Sequence, residues 1–141
     1  MPAEVSVRFE SRQGDRRQGI ALSCDGGQLA VEVDDETVLS PKLAIWADTA
    51  PEETRVVVRP RPRAGVRRLG IYNIWEGKWG QTDAWIGNAG MLVERRGSGL
   101  EYDVRLRCSS GSGAADFDDL VVRVACRGAA YTGKKEPRAP V

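Results

Sequence analysis

The sequence predicts an all-β domain: an antiparallel two-sheet sandwich of jelly-roll or C2-like type, with about eight strands and little helix. Three observations predict it. Apolar residues recur with a period of two in most apolar segments. Those segments are short and are punctuated by Gly, Pro, Asp and Ser. No amphipathic stretch of ten or more residues has helical spacing. The 141 residues suit one core rather than two. Residues 1–128 are therefore assigned to a single sandwich domain, and 129–141, with Gly133-Lys134-Lys135 and two prolines, to a flexible C-terminal tail.

Val5, Val7 and Phe9 alternate with Ser6, Arg8 and Glu10, the pattern of a strand with one buried face. Ile20, Leu22 and Cys24 repeat it, and Asp25-Gly26-Gly27 reads as a tight hairpin turn into Leu29, Val31 and Val33. After the acidic run Asp34-Asp35-Glu36, read as a wet turn, come the short pieces Thr37 to Leu39 and Leu43 to Trp46. Ser40-Pro41 separates them, because proline confines a strand to an edge or a break. Ala50-Pro51-Glu52-Glu53 suggests one short helical turn. Arg55 to Arg59 is a strand whose contiguous valines 56 to 58 suggest burial on both faces.

Leu69 to Ile74 and Met91 to Glu94 continue the β pattern around a connection, residues 75 to 90, whose secondary structure the pattern leaves open. Gly97-Ser98-Gly99 turns the chain into Tyr102, Val104, Leu106 and Cys108, and a last strand carries Leu120, Val122, Val124 and Cys126 on one side. If these two strands pair as a simple hairpin, Cys108 faces Leu120 and Cys126 faces Tyr102. At about 3.3 Å per residue the two sulfurs are then about 20 Å apart, beyond disulfide reach. The three cysteines, in odd number and without C-x-x-C spacing, are expected as buried reduced thiols.

Composition excludes several chemistries. The chain has no histidine, so Ser-His-Asp and Cys-His catalysis and histidine-bearing zinc or iron sites are unavailable. No zinc, haem, flavin or nucleotide is expected, since no Gly-x-x-x-x-Gly-Lys loop occurs either. With a net charge of +1 there is no global pull towards nucleic acid. The arginine stretch Arg55, Arg59, Arg61, Arg63, Arg67, Arg68 lacks both a basic domain around it and a stacking platform, so it reads as a solvated edge. The start, Met1-Pro-Ala-Glu-Val-Ser-Val-Arg, resembles no leader, and no 18-residue apolar run occurs, so a cytoplasmic chain without membrane contact is expected. Oligomeric state is left open.

Two constellations carry chemistry. The first is Tyr72 to Gly90, in which three of four tryptophans, Trp75, Trp79 and Trp85, fall within eleven residues. They are interleaved with Asn73, Glu76, Gln81, Asp83 and Asn88. Aromatic faces beside amides and carboxylates suit a sugar or a flat organic ligand. The ligand set expected here is Trp75, Trp79, Trp85, Asn73 and Asn88. The competing reading has the same tryptophans plugging the ends of the sandwich, and Trp46 is expected in the core.

The second constellation is Asp116, Asp118 and Asp119, three carboxylates within four residues at a strand entry, where a hard cation such as calcium would offset their repulsion. The run Asp116-Phe117-Asp118-Asp119-Leu120-Val121-Val122-Arg123-Val124 resembles the D-x-[ND]-D-[LV]-V-V-x-V element of bacterial calcium-binding β-sandwich domains. The likeness covers about ten residues of 141. It implies calcium ligation by Asp116, Asp118 and Asp119 beside a terminal strand. The alternative is a solvated loop in which Asp116 caps backbone donors and Asp119 pairs with Arg107 or Arg123.

Together these readings give a small ligand-binding module, calcium-assisted, that recognises a carbohydrate or flat organic ligand through its Trp/Gly-rich segment. The alternative is a cofactor-free cyclase or isomerase, with Glu76 or Asp83 as acid or base in an aromatic pocket.

Overall fold

A computed structural model describes residues 2–14, 16–60, 68–84, 89–99, 101–111 and 114–128. Within them lie eleven strands and no helix: β1 (Pro2–Arg12), β2 (Gln18–Asp25), β3 (Gly27–Val33), β4 (Glu36–Ser40), β5 (Lys42–Trp46), β6 (Thr54–Pro60), β7 (Arg68–Glu76), β8 (Thr82–Asp83), β9 (Gly90–Ser98), β10 (Glu101–Ser109) and β11 (Leu120–Gly128). They form two antiparallel sheets, one of seven strands in the order β4-β3-β6-β1-β11-β10-β9 and one of four in the order β5-β2-β7-β8. The expected sandwich is present, with eleven strands where about eight were expected. Residues 61–67, 85–88 and 129–141 lie outside the described residues, and with them Arg61, Arg63, Arg67, Trp85, Asn88 and the expected tail.

The period of two accounts for the core. Val5 and Val7 of β1, Leu29 of β3, Val56 and Val58 of β6, Leu106 of β10 and Val122 and Val124 of β11 all turn inward. They meet Ile20 and Leu22 of β2 and Ile45 of β5 from the smaller sheet. Val57 is 37% exposed between its two buried neighbours, so β6 has one buried face rather than two. The predicted β10–β11 hairpin is found in its predicted register, Cys108 opposite Leu120 and Cys126 opposite Tyr102. All three thiols are free and buried.

The largest departure concerns Asp25-Gly26-Gly27. The two strands it joins are in different sheets: β2 pairs with β5 and β7, whereas β3 pairs with β4 and β6. The hairpin turn is Asp34-Asp35, both residues at positive φ (51° and 66°), the conformation of a two-residue primed turn. β2–β3 and β4–β5 are thus the arms of one long ribbon that bends from sheet to sheet at Gly26 (φ 90°) and Pro41. Cys24 N donates to Pro41 O at 2.8 Å across the bend. Strands that change sheet at a bend are the usual corners of a sandwich, and glycine and proline suit them for that reason. The helical turn expected at residues 50–53 is absent. A turn instead spans 47–49, closed by Ala50 N donating to Trp46 O at 2.9 Å.

Two buried amides link the sheets. Gln18 Nε2 of β2 donates to Gln13 O (2.9 Å) and Asp119 O (3.0 Å), and Asn73 Nδ2 of β7 donates to Ser109 O of β10 (2.9 Å). On the outer face of the seven-stranded sheet, Arg105 and Arg123 stand directly opposite each other. The register of β1 on β11 slips between Phe9 and Ser11, which leaves Glu10 as the extra residue of a bulge. Its carboxylate lies 3.1 Å from each guanidinium and offsets their repulsion.

Candidate functional site

The tryptophan segment divides where β7 ends. Trp75, the penultimate residue of β7, is 2% exposed, and Asn73 is 5% exposed and committed to Ser109 O. Both therefore stand in the interior, and Asn73 joins the two sheets. Trp79 is 83% exposed. It stands at the tip of the β7–β8 hairpin, on a turn whose hydrogen bonds fix it. Gly77 N donates to Gln81 O (2.7 Å) and Gly80 N to Gly77 O (3.0 Å). Trp79 N donates to Gln81 Oε1 (2.9 Å), and Gln81 Nε2 donates to Asp83 Oδ2 (3.2 Å). A Cβ at 77 would meet the ends of the Gln81 and Asp83 side chains, which would have to move from the positions that hold the turn.

An open depression of about 500 Å³ is lined by Arg16, Arg17, Glu76, Gly77 and Lys78, the last of these next to Trp79 in the chain. Lys78 Nζ is 5.3 Å from the centre of the Trp79 ring. Arg16 Nη1 donates to Glu76 O at 3.4 Å, and the backbone is fixed by Glu76 N donating to Arg17 O at 2.8 Å. An exposed indole thus stands on a turn that is already ordered, with the Lys78 ammonium near its ring and the Gln81 amide on its backbone. Glu76 is exposed and Asp83 half-buried, with Asp83 Oδ2 accepting from Gln81.

Trp46, expected in the core, is half-buried at the end of β5. The Arg17 guanidinium lies over its ring at 4.5 Å, and Asp48 holds that guanidinium from Nε at 2.9 and 3.0 Å. The hydrogen bond from Arg17 outweighs the modest burial and holds the Asp48 carboxyl below the usual carboxylate range.

The acidic loop is built as a turn. Asp116 Oδ1 accepts from Asp118 N at 2.9 Å, an Asx turn. Asp118 Oδ1 accepts from Arg107 Nη2 at 2.8 Å, and Asp119 Oδ2 accepts from the backbone N and the hydroxyl of Ser110, both at 3.2 Å. Arg107 therefore pairs with Asp118 rather than Asp119, while Arg123 is taken by Glu10 and Asp103. Among the described residues no group of three or more acidic or cysteine side chains converges as a metal ligand set.

Sequence reasoning missed two features. Ser109 and Ser110 are buried polar residues that anchor this loop, Ser109 Oγ accepting from Asp116 N at 3.0 Å. Their only signal was the run of small residues after Cys108. A cavity of about 890 Å³ lies elsewhere, between β3, β5, β6 and the segment after Trp46, and it depends on strand order. Comparison of the chain with protein-family models, curated proteins and solved structures finds no match.

Proposed function

We propose that this domain is a small ligand-binding β-sandwich module that recognises a carbohydrate or another flat-faced ligand on Trp79. The observation that carries this reading is the 83% exposure of Trp79 on a turn fixed by its own hydrogen bonds, while Trp75 four residues earlier is 2% exposed. An indole left in water on an ordered turn is apolar area whose burial by a ligand costs little conformational entropy. The adjoining Arg16, Glu76, Lys78 and Gln81 supply donors and acceptors that orient hydroxyls around the stacked ring. The histidine-independent cyclase or isomerase has less support, because Glu76 stands in the open and Asp83 Oδ2 already accepts from Gln81.

The loop 116–119 enters this reading as a support for the β10–β11 turn. A calcium ion there would have to displace Arg107 from Asp118 and Ser110 from Asp119. Titration with calcium and then chelator is expected to leave Tm unchanged, and a calcium-dependent rise would restore the calcium-assisted form of the reading.

The test is a panel of soluble neutral and acidic oligosaccharides, read by tryptophan fluorescence and by calorimetry. Binding is expected to shift the emission of the exposed indole and to fall at least tenfold in Trp79→Ala, in keeping with the stacking contribution of an aromatic platform. Binding that survives Trp79→Ala unchanged, or a panel without any ligand, would overturn the assignment.

A further inference from the structure

The pairing of β3 with β6 ends at Val31 opposite Val56. β3 runs on to Val33, and β6 begins two residues before Val56, at Thr54. The two strands part there, and the parting opens the 890 Å³ cleft. Its volume lies within the range of roughly 300–1,000 Å³ typical of small-molecule sites. Its floor is apolar, with Val31, Leu43, Ile45 and Ala50 among its lining residues.

The rim is polarised. Glu32, Asp34 and Glu53 stand at the end where the strands part, and among the described residues none of them has an ion-pair partner. Of the two arginines on the rim, Arg55 is held by Glu4 at 3.3 Å. Arg59 lies five residues along β6 from Thr54, about 17 Å away at a strand's rise per residue.

An independent feature lies at the same acidic end. Thr54 faces inward from β6 in series with Val56 and Val58, lines the cleft and is 8% exposed. Its Oγ1 is the buried side-chain polar atom without a hydrogen-bond partner among the described residues. A buried hydroxyl with no partner is costly, and proteins keep few of them. A donor bound in the cleft that reached Oγ1 would supply the missing partner.

We propose that this cleft is a second ligand site, independent of Trp79, that takes an amphipathic amine. The apolar chain or ring lies along Val31, Leu43, Ile45 and Ala50. The protonated amino group sits between Asp34 and Glu53 and donates to Thr54. An acid would meet three unneutralised carboxylates at that end. A neutral amphiphile would gain the floor without the charge.

Three ligands with one octyl chain test the proposal: octylamine, octanol and octanoate below their aggregation limits, followed by amide chemical-shift mapping. Saturable octylamine binding is expected, with shifts at Val31, Ile45 and Ala50 and affinity at least tenfold above octanoate. Asp34→Asn with Glu53→Gln changes two exposed side chains, so the fold is retained. The pair is expected to weaken octylamine about tenfold and octanol little, on the scale of two partly exposed charge contacts. Thr54→Val is expected to raise the Tm of the free protein by removing the orphaned hydroxyl, and to weaken octylamine. Equal affinity for all three ligands, shifts that map elsewhere, or a Thr54→Val variant with lowered Tm would each overturn the proposal.

Discussion

Replacing Trp75 and Trp79 in turn separates the core half of the tryptophan segment from its surface half. Trp75 is 2% exposed, so truncation to alanine leaves a large void between the sheets and is expected to cost about 3–5 kcal/mol. For a domain of this size, 1 kcal/mol shifts Tm by roughly 3–5 °C, so the loss is expected to be roughly 10–25 °C. Trp79 is 83% exposed, and its alanine variant is expected to stay within about 0.5 kcal/mol, roughly 2 °C. Thermal melts of both variants, followed by circular dichroism, measure the difference. Emission adds a second readout: Trp79→Phe is expected to diminish the red-shifted, acrylamide-quenchable fraction, to which Trp79 contributes through its 83% exposure. Comparable Tm losses in the two variants, or an acrylamide-quenchable signal that Trp79→Phe leaves undiminished, would refute the assignment of one tryptophan to packing and the other to recognition.

Three further outcomes follow from the geometry. Burial pushes the Cys108 thiol up to about 12 from the ordinary 9.0. The unfolded chain then ionises first, and stability is expected to fall as pH rises from about 9 towards 12, with thiol reagents reacting only on unfolding. Burial raises the Glu10 carboxyl, but the guanidiniums of Arg123 and Arg105 outweigh it and hold the group below its ordinary 4.5. Its contribution is therefore complete above about pH 4.5 and is lost as pH falls through the depressed value, so Glu10→Gln is expected to flatten the acid limb of a Tm-against-pH profile. Asp35→Gly, at φ 66° in the β3–β4 turn, is expected to stabilise by about 0.5–1 kcal/mol in urea melts, because glycine accepts that conformation without a Cβ penalty.

Local pattern carries far in this chain. Alternation along β1, β10 and β11 is a property of each strand alone, since one inward face needs aliphatic residues at every second position whatever lies opposite. The same pattern, with residues 102–108 paired directly with 120–126 as a simple hairpin, places Cys108 and Cys126 apart, and β10 and β11 have that register. Asp25-Gly26-Gly27 shows where local pattern stops. A glycine bend between two alternating strands has the same signature whether the chain folds back on one sheet or crosses to the other. Valines 56 to 58 show the same limit, since a contiguous run does not reveal that only one face of β6 is covered.

By itself the sequence determined the fold class, the inward face of most strands, the state of the thiols and the absence of histidine chemistry, because these rest on residue type and spacing along a single strand. Only the tertiary structure decided which tryptophan is buried, which arginine each aspartate of the loop meets, and that β3 and β6 part to form a cleft. Those outcomes depend on which strands become neighbours, and neighbours in a sandwich are set by contacts between residues far apart in the chain.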